Sequence, residues 1–330
     1  MPLAKIACFV EKYNFADSRE DRALQNFKLE AEKMGHEFNF MFKKNIPEIP
    51  KYDAVFIRAT TDPLYTSYIV SKTAWELGLK VIDDPKSIQI CANKFHLYSL
   101  FEKFNIPYIS TIFLNKDEFH HKQISDIFEV FGKPVVVKAP YTSFSKYVEK
   151  VSSETSFRDV AKKFFRKSDV LVAQKFMPTS FDWRVGVLNG EVLYVCKYMI
   201  SKGKWKHGTK LRGKDAFVWG RTITLKKEHA PLKLKETALK ACKVVGHGLY
   251  GVDIKEVDDD YVVVEVNDNP SIYAGYEDLW DRDIYEKIIA YLVGYPTFQE
   301  ITIISFLAKT SLKFMVLRPG FEPGSSAFSR

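Results

Sequence analysis

The segment Val262-Val263-Val264-Glu265-Val266-Asn267-Asp268-Asn269-Pro270-Ser271 decides how this chain reads. It follows Gly251-Val252-Asp253-Ile254-Lys255, and the two segments read as β-strands joined by a tight acidic turn at Asp258-Asp259-Asp260. Side chains alternate along a strand, so Glu265 and Asn267 point to one face, and Asp253 on the partner strand can meet them there. Two carboxylates and an amide oxygen on a rigid sheet form a hard-oxygen donor set, suited to Mg²⁺ held jointly by protein and nucleotide phosphates. The three turn aspartates read as turn chemistry alone. The hairpin therefore directs attention to nucleotide-dependent chemistry.

Composition is compatible with that direction and excludes several others. A chain of 330 residues with 46% hydrophobic and 27% charged residues can build a large core and several subdomains. No apolar run is long enough to span a bilayer. The apolar stretch within Met1–Val10 continues into charged residues without a small-residue cleavage site, so it reads as a first core strand and not as a signal peptide. Cys8, Cys91, Cys196 and Cys242 are far apart and lack metal spacing; buried free thiols in a reducing cytoplasm are expected. The formal charge is +8, from 49 basic against 41 acidic residues. These bases are spread along the chain with no arginine-rich segment or zinc module. That pattern argues against nucleic-acid binding and for a basic cleft receiving phosphates and anionic substrates.

The first part alternates strand and helix. Leu3–Val10, Phe38–Phe42, Ala54–Ala59 and Lys80–Asp83 read as strands. A helix capped by Asp17 or Ser18 runs to Met34 with Ala23, Leu24, Phe27 and Ala31 on one face, and Tyr65–Leu77 is a second, closed by Gly78. This predicts a doubly wound parallel α/β domain over residues 1–86. Beyond the linker Asp83-Asp84-Pro85 the pattern becomes α+β, over residues 87–295, in two lobes that meet near residue 178. Helices are expected at Lys94–Phe104, Glu154–Lys167, Pro231–Val245 and around Asp278–Leu292. Strands are expected at Tyr108–Leu114, Pro134–Ala139 and Asp169–Phe176. Asp182–Ile200 reads as a hairpin turning at Asn189-Gly190. Residues 296–330 form an extension whose turn-rich end, Arg318–Gly324, is expected to be disordered. Gly-Phe-Glu-Pro within it can be encoded by codons containing TTCGAA, as in a tRNA gene, so read-through is one reading of that tail.

Several residues beside the hairpin carry chemistry. Lys94 opens a helix, and Lys138 ends a buried strand, where an ammonium meets ligands at the sheet's end. The loop Ala139–Tyr147, with Ser143 and Ser145, can fold over phosphates through backbone N–H groups and hydroxyls. Gln174-Lys175-Phe176-Met177 ends a further strand, where backbone groups can read an adenine edge and apolar side chains pack its face. Asp182 and Arg184 share a face of the next strand, one suited to ribose hydroxyls and the other to a phosphate. His207 reads as a loop histidine, and no Ser-His-Asp or Cys-His arrangement is present.

Taken in order, these pieces resemble the ATP-grasp ligases, most closely the RimK-like group of ribosomal-protein glutamate ligases and glutathione synthetases. Phe56-Ile57-Arg58, Val81–Ile88, Cys91 and Asn93-Lys94 look like the N-terminal region of one RimK-like branch. The resemblance covers roughly residues 1–295. It implies a preATP-grasp domain followed by two lobes that clasp ATP. On that basis Lys94 and Lys138 contact phosphates, 142–146 is the phosphate loop and Gln174, Lys175, Phe176 and Met177 form the adenine hinge. Asp182 takes the ribose position and Arg184 faces phosphate or substrate, while Asp253, Glu265 and Asn267 ligate Mg²⁺ or Mn²⁺. Lys197 and Arg212 fall where the family places cations near the reaction centre, and Asn269 and Ser271 near phosphate or substrate. The chain departs from the family in its phosphate loop, where many relatives carry glycines and this sequence has none.

The implied activity is an ATP-dependent carboxylate–amine ligation. A substrate carboxylate takes the γ-phosphoryl group, and an amine displaces phosphate from the acyl phosphate, releasing ADP and phosphate. Such an enzyme needs no nucleophile–base pair of its own, in keeping with this sequence. The expected partners are a small anionic carboxylate and an amine from an amino acid, a peptide or a protein tail; relatives often form homo-oligomers. Two other readings stand beside it: a small-molecule kinase on the same fold, and a noncatalytic nucleotide-binding protein. Phosphate release without a new amide marks the first, and binding without turnover the second.

Overall fold

The computed structural model describes residues 3–141, 147–210 and 217–294. The expectations for Ser143, Ser145, Arg212 and the extension 296–330 fall outside them.

The chain opens with strands β1 (Lys5–Phe9), β2 (Glu37–Met41), β3 (Ala54–Ile57) and β4 (Lys80–Ile82). They form a sheet of order β2-β1-β3-β4 in which every pairing is parallel. Helix α1 (Ser18–Lys33) starts where the Asp17 carboxylate accepts the Arg19 N–H at 2.9 Å, and it stops before Gly35, whose φ of +82° no β-carbon favours. Its apolar face packs on Ile6, Cys8 and Phe56, while Val70 and Ala74 of α2 (Thr66–Glu76) pack on Ala7, Phe9 and Val55 across the sheet. Helices on both faces explain why these strands are apolar on both sides.

The second sheet is antiparallel, in the order β5-β8-β6-β7, from β5 (Thr111–Asn115), β6 (Val135–Lys138), β7 (Val148–Val151) and β8 (Val170–Lys175). Helices α5 (His121–Phe131) and α6 (Glu154–Phe164) cover one of its faces through Ile124, Phe128, Phe157 and Phe164. The third sheet holds β9 (Phe181–Leu188), β10 (Glu191–Met199), β13 (Thr222–Leu225), β14 (Leu249–Val257) and β15 (Asp260–Asn267) in the order β13-β10-β9-β14-β15. A separate ribbon, β11 (Gly208–Lys210) with β12 (Phe217–Trp219), lies between β10 and β13 in sequence. One face of the third sheet packs on α4 (Lys94–Lys103) and α7 (Leu232–Lys243), the other on α1 and α8 (Ile284–Leu292).

The architecture is the α/β followed by α+β arrangement expected, and both hairpin turns lie where the sequence puts them. Asn189 and Gly190 have φ of +49° and +81°, and Asp258 and Asp259 have +50° and +63°. Three details correct the expectation. The linker after Asp84 is itself helix α3 (Pro85–Ala92), since Asp84 accepts from Lys86 and Ser87 N–H and Asn93 then caps α4 separately. Helix α5 was missed although Ile124, Ile127 and Phe128 carry its spacing. Strands β7 and β13 were missed because each is an edge strand of four residues.

Phe27 joins the parts: its ring lies 4.9 Å from Phe56 in the parallel sheet and 4.8 Å from Tyr285 of α8. Phe27→Ala should therefore cost about 3–5 kcal/mol of stability. Urea unfolding would read this, and a loss below about 1 kcal/mol would show that the contact is not central.

Candidate active site

The register of three strands builds the site. Arg184 on β9 pairs with Asp253 on β14, and Asp253 pairs with Glu265 on β15, so the three side chains form a row on one face. A bulge follows between Asp253 and Ile254, leaving Val264 without a partner. The Tyr98 hydroxyl, on α4, donates to the Val264 carbonyl at 2.9 Å and so satisfies the bulge from the helix that also carries Lys94.

Arg184 grips Asp253 with two bonds, Nε to Oδ1 at 2.6 Å and Nη2 to Oδ2 at 2.9 Å. Gly251 makes this possible: a β-carbon there would lie 2.9 Å from Arg184 Nη1 and 2.7 Å from the Pro270 side chain. Lys94 Nζ stands 4.0 Å from Glu265. Asn267 donates to the Gly251 carbonyl at 3.2 Å, which leaves its amide oxygen available.

Burial sets the charge state of each group. It lowers Lys138 to about 8, with Glu265 pulling the other way and Lys94 adding to the drop. It lowers Lys94 too, although Glu265 favours its charged form. Burial and the neighbouring Glu265 raise Asp253 to about 6 against the pull of Arg184. Burial also works against ionised Glu265, but Lys94, Lys138 and Arg184 outweigh it and hold this carboxyl below its usual range. The result is an anionic Glu265 facing buried cations.

These residues line one cavity of about 930 Å³, between the three sheets. Lys94, Lys138, Gln174, Lys175, Phe176, Met177, Asp182, Arg184, Asp253, Glu265 and Asn267 all border it. Gln174 is buried at the end of β8 and donates to the Thr111 hydroxyl at 2.8 Å. Asp182 accepts from Lys255 at 2.5 Å and from Thr179 at 3.1 Å. Trp205 stands edge-on to Phe176 at 6.1 Å, and the neighbouring Lys206 donates to the Val148 carbonyl of β7 at 2.7 Å.

One expectation is corrected. Lys197 does not border the cavity: strand alternation turns it to the opposite face beside Trp183, where its ammonium lies 4.2 Å and 4.5 Å from the ring centroids of Phe181 and Trp183. Asn269 and Ser271 both border the cavity, and Asn269 also accepts from Arg58 at 2.8 Å and donates to the Ala59 carbonyl at 2.8 Å, so it ties the parallel sheet to the end of β15. Lys255, Tyr198 and Trp205, which the sequence does not single out, also line the cavity, as does His207, which reads in the sequence as a loop histidine. Lys255 had a signal, two positions after Asp253 on the same strand. The loop residues had none, because their approach depends on the ribbon.

A family model of the RimK-like ATP-grasp domain matches residues 91–292, more than half of the chain. A probable alpha-L-glutamate ligase of Vibrio vulnificus is 25% identical over 248 residues, covering 74% of this chain and 77% of the relative. The glutamate–LysW ligase ArgX of Sulfolobus acidocaldarius is 24% identical, covering 73% and 82%. Among solved structures, a D-alanine–D-alanine ligase of Bacillus anthracis complexed with ATP shares the fold with a TM-score of 0.63 at 15% identity, covering 94% of this chain and 98% of that one. This chain belongs to the RimK-like ATP-grasp family and is a ligase that forms carbon–nitrogen bonds.

Proposed function

We propose that the chain condenses an anionic carboxylate with the amino group of an amino acid or peptide, using Mg²⁺-ATP. The observation that carries the reading is the row Arg184–Asp253–Glu265 set against buried Lys94 and Lys138 across one cavity. Glutamate ligation by the relatives supports amino-acid substrates.

The donor set fits Mg²⁺. Asp253, Glu265 and Asn267 supply two carboxylates and an amide oxygen, and among the described residues no group of three or more His, Cys, Asp or Glu forms a self-sufficient metal site. A cation held there would complete its shell with phosphate oxygens and water. When bound, it offsets charge on the phosphates. Lys94 and Lys138 do the same from the opposite side, buried where water screens them least. Phe176, Met177 and Trp205 would wall the adenine, and Asp182 with Lys255 would meet the ribose. Arg184 would face the phosphoryl group in flight. We place Ser143, Ser145 and Arg212 over the phosphates and reacting groups on the family resemblance alone, and Lys197 outside the catalytic set.

Among the described residues no helix is long and apolar enough to cross a membrane. The four cysteines are free thiols, three of them buried, which supports a reducing cytoplasmic setting.

Incubation with Mg²⁺-ATP and pooled amino acids, small carboxylates and short acidic peptides should release ADP and a product one water lighter than two summed substrates, read by mass spectrometry. ADP with a phosphorylated metabolite instead would refute ligation. Glu265→Gln should cut ATP turnover about 10²–10³-fold while moving the thermal midpoint little; equal turnover at saturating Mg²⁺ would reject the metal role. Gly251→Ala should displace Arg184 and lower kcat about tenfold to hundredfold with KM for ATP nearly unchanged. A rise confined to KM would place Arg184 in ground-state binding only.

A further inference from the structure

His207 sits in a cradle built for it. Its ring stacks on Tyr198 at 4.5 Å and 15°, and tilts against Trp219 at 5.6 Å. Nδ1 lies 3.1 Å from the Met199 carbonyl oxygen. A carbonyl can only accept, so Nδ1 carries the hydrogen and Nε2 keeps its lone pair. Two glycines hold this geometry open. A β-carbon at Gly220 would overlap the Met199 carbonyl and come within 3.0 Å of His207 Nδ1, and one at Gly208 would lie 2.4 Å from the Trp219 ring. The ring borders the cavity together with Arg184, whose guanidinium lies 5.1 Å from the Tyr198 centroid.

Burial more than charge keeps this imidazole neutral, and the described charged groups nearest it are either committed to other partners or cationic. Burial lowers its pKa from the ordinary value, the Met199 hydrogen bond opposes that, Arg184 lowers it further and Asp182 works against it. Glu277 commits both oxygens, to the Tyr198 hydroxyl at 2.8 Å and the Tyr273 N–H at 2.8 Å. Asp182 is paired with Lys255, and Asp253 with Arg184. Lys206 beside it and Arg221 on the cavity wall are cations and cannot accept a proton.

We propose that His207 Nε2 is the general base of the bond-forming half-reaction, taking a proton from the acceptor ammonium; the assignment rests on the ligase reading above. The freed nitrogen lone pair attacks the acyl-phosphate carbon and the C–N bond forms. The C–O bond to the phosphoryl group then breaks, and phosphate leaves with its electron pair and takes the second nitrogen proton. Carboxylate activation by ATP, which moves no proton from nitrogen, does not need His207.

The test separates the two halves. Pooled amino acids and short acidic peptides serve as carboxylates with hydroxylamine, which is unprotonated at neutral pH, as trap; the same pool without hydroxylamine supplies ordinary amines. His207→Ala should keep hydroxamate formation within about threefold of wild type and lose amide formation at least about hundredfold at neutral pH. On the acid side the wild-type amide rate should fall at pH values below the ordinary histidine range, where Nε2 is protonated, and on the alkaline side as Lys138 loses its charge above about pH 8. The variant should instead rise about tenfold per pH unit toward the pKa of the free amine. Gly220→Ala, which displaces the ring without removing it, should show the same split. Equal loss of hydroxamate and amide would assign His207 a structural role, and unchanged amide formation would overturn the proposal outright. Absence of hydroxamate with the wild-type enzyme would overturn the ligase reading and this assignment with it.

Discussion

The Arg184–Asp253–Glu265 row is the constraint on which the rest of the site depends. Three charged side chains on adjacent strands, the last at the sheet's edge, can be buried only if every charge is answered. Arg184 answers Asp253 directly at 2.6 Å, and Lys94 with Lys138 answer Glu265 from other elements. The second sheet, which carries Lys138, and helix α4, which carries Lys94, therefore have to meet the third sheet at this row. The cavity opens where these three parts meet, with the Lys94–Glu265 pair, 4.0 Å apart, on its wall.

The bulge at Val264 and the glycine at 251 are local departures that serve this row. Without the extra residue, strict alternation would carry β15 past Asp253 in a flat register. Without Gly251, the guanidinium would be pushed off the strand on which it lies. Arg58 completes the frame by reaching from the parallel sheet to Asn269 and to the Pro270 carbonyl, at 2.8 Å and 3.0 Å. The N-terminal sheet is thereby fixed to the strand end that holds Glu265 and Asn267.

Residues whose role follows from strand alternation were legible in the sequence. Glu265, Asn267, Asp253, Asp182 and Arg184 all face the cavity as their period of two predicts. The failure at Lys197 has the same root: it is one residue from Tyr198, and one step on a strand changes the face. The short edge strands escape the sequence because packing partners distant in the chain settle them, whereas helix α5 carries its own spacing in Ile124, Ile127 and Phe128. Asn269 borders the cavity, and only the approach of Arg58 and Ala59 shows that its amide also ties two sheets together.

Lys206 has a consequence through its position in the chain. It hydrogen-bonds the Val148 carbonyl at 2.7 Å, and Trp205 beside it meets Phe176. The next residue is His207. One short segment thus touches the wall proposed for the adenine, the edge of the second sheet and the imidazole at the far end of the cavity. The Lys206 ammonium reaches that edge on a four-carbon stem, so the segment is moored to the second sheet through a side chain. The segment that carries His207 is therefore anchored on the same sheet that supplies Lys138 and the Gln174–Lys175 strand end, so one mooring sets where the imidazole stands relative to them.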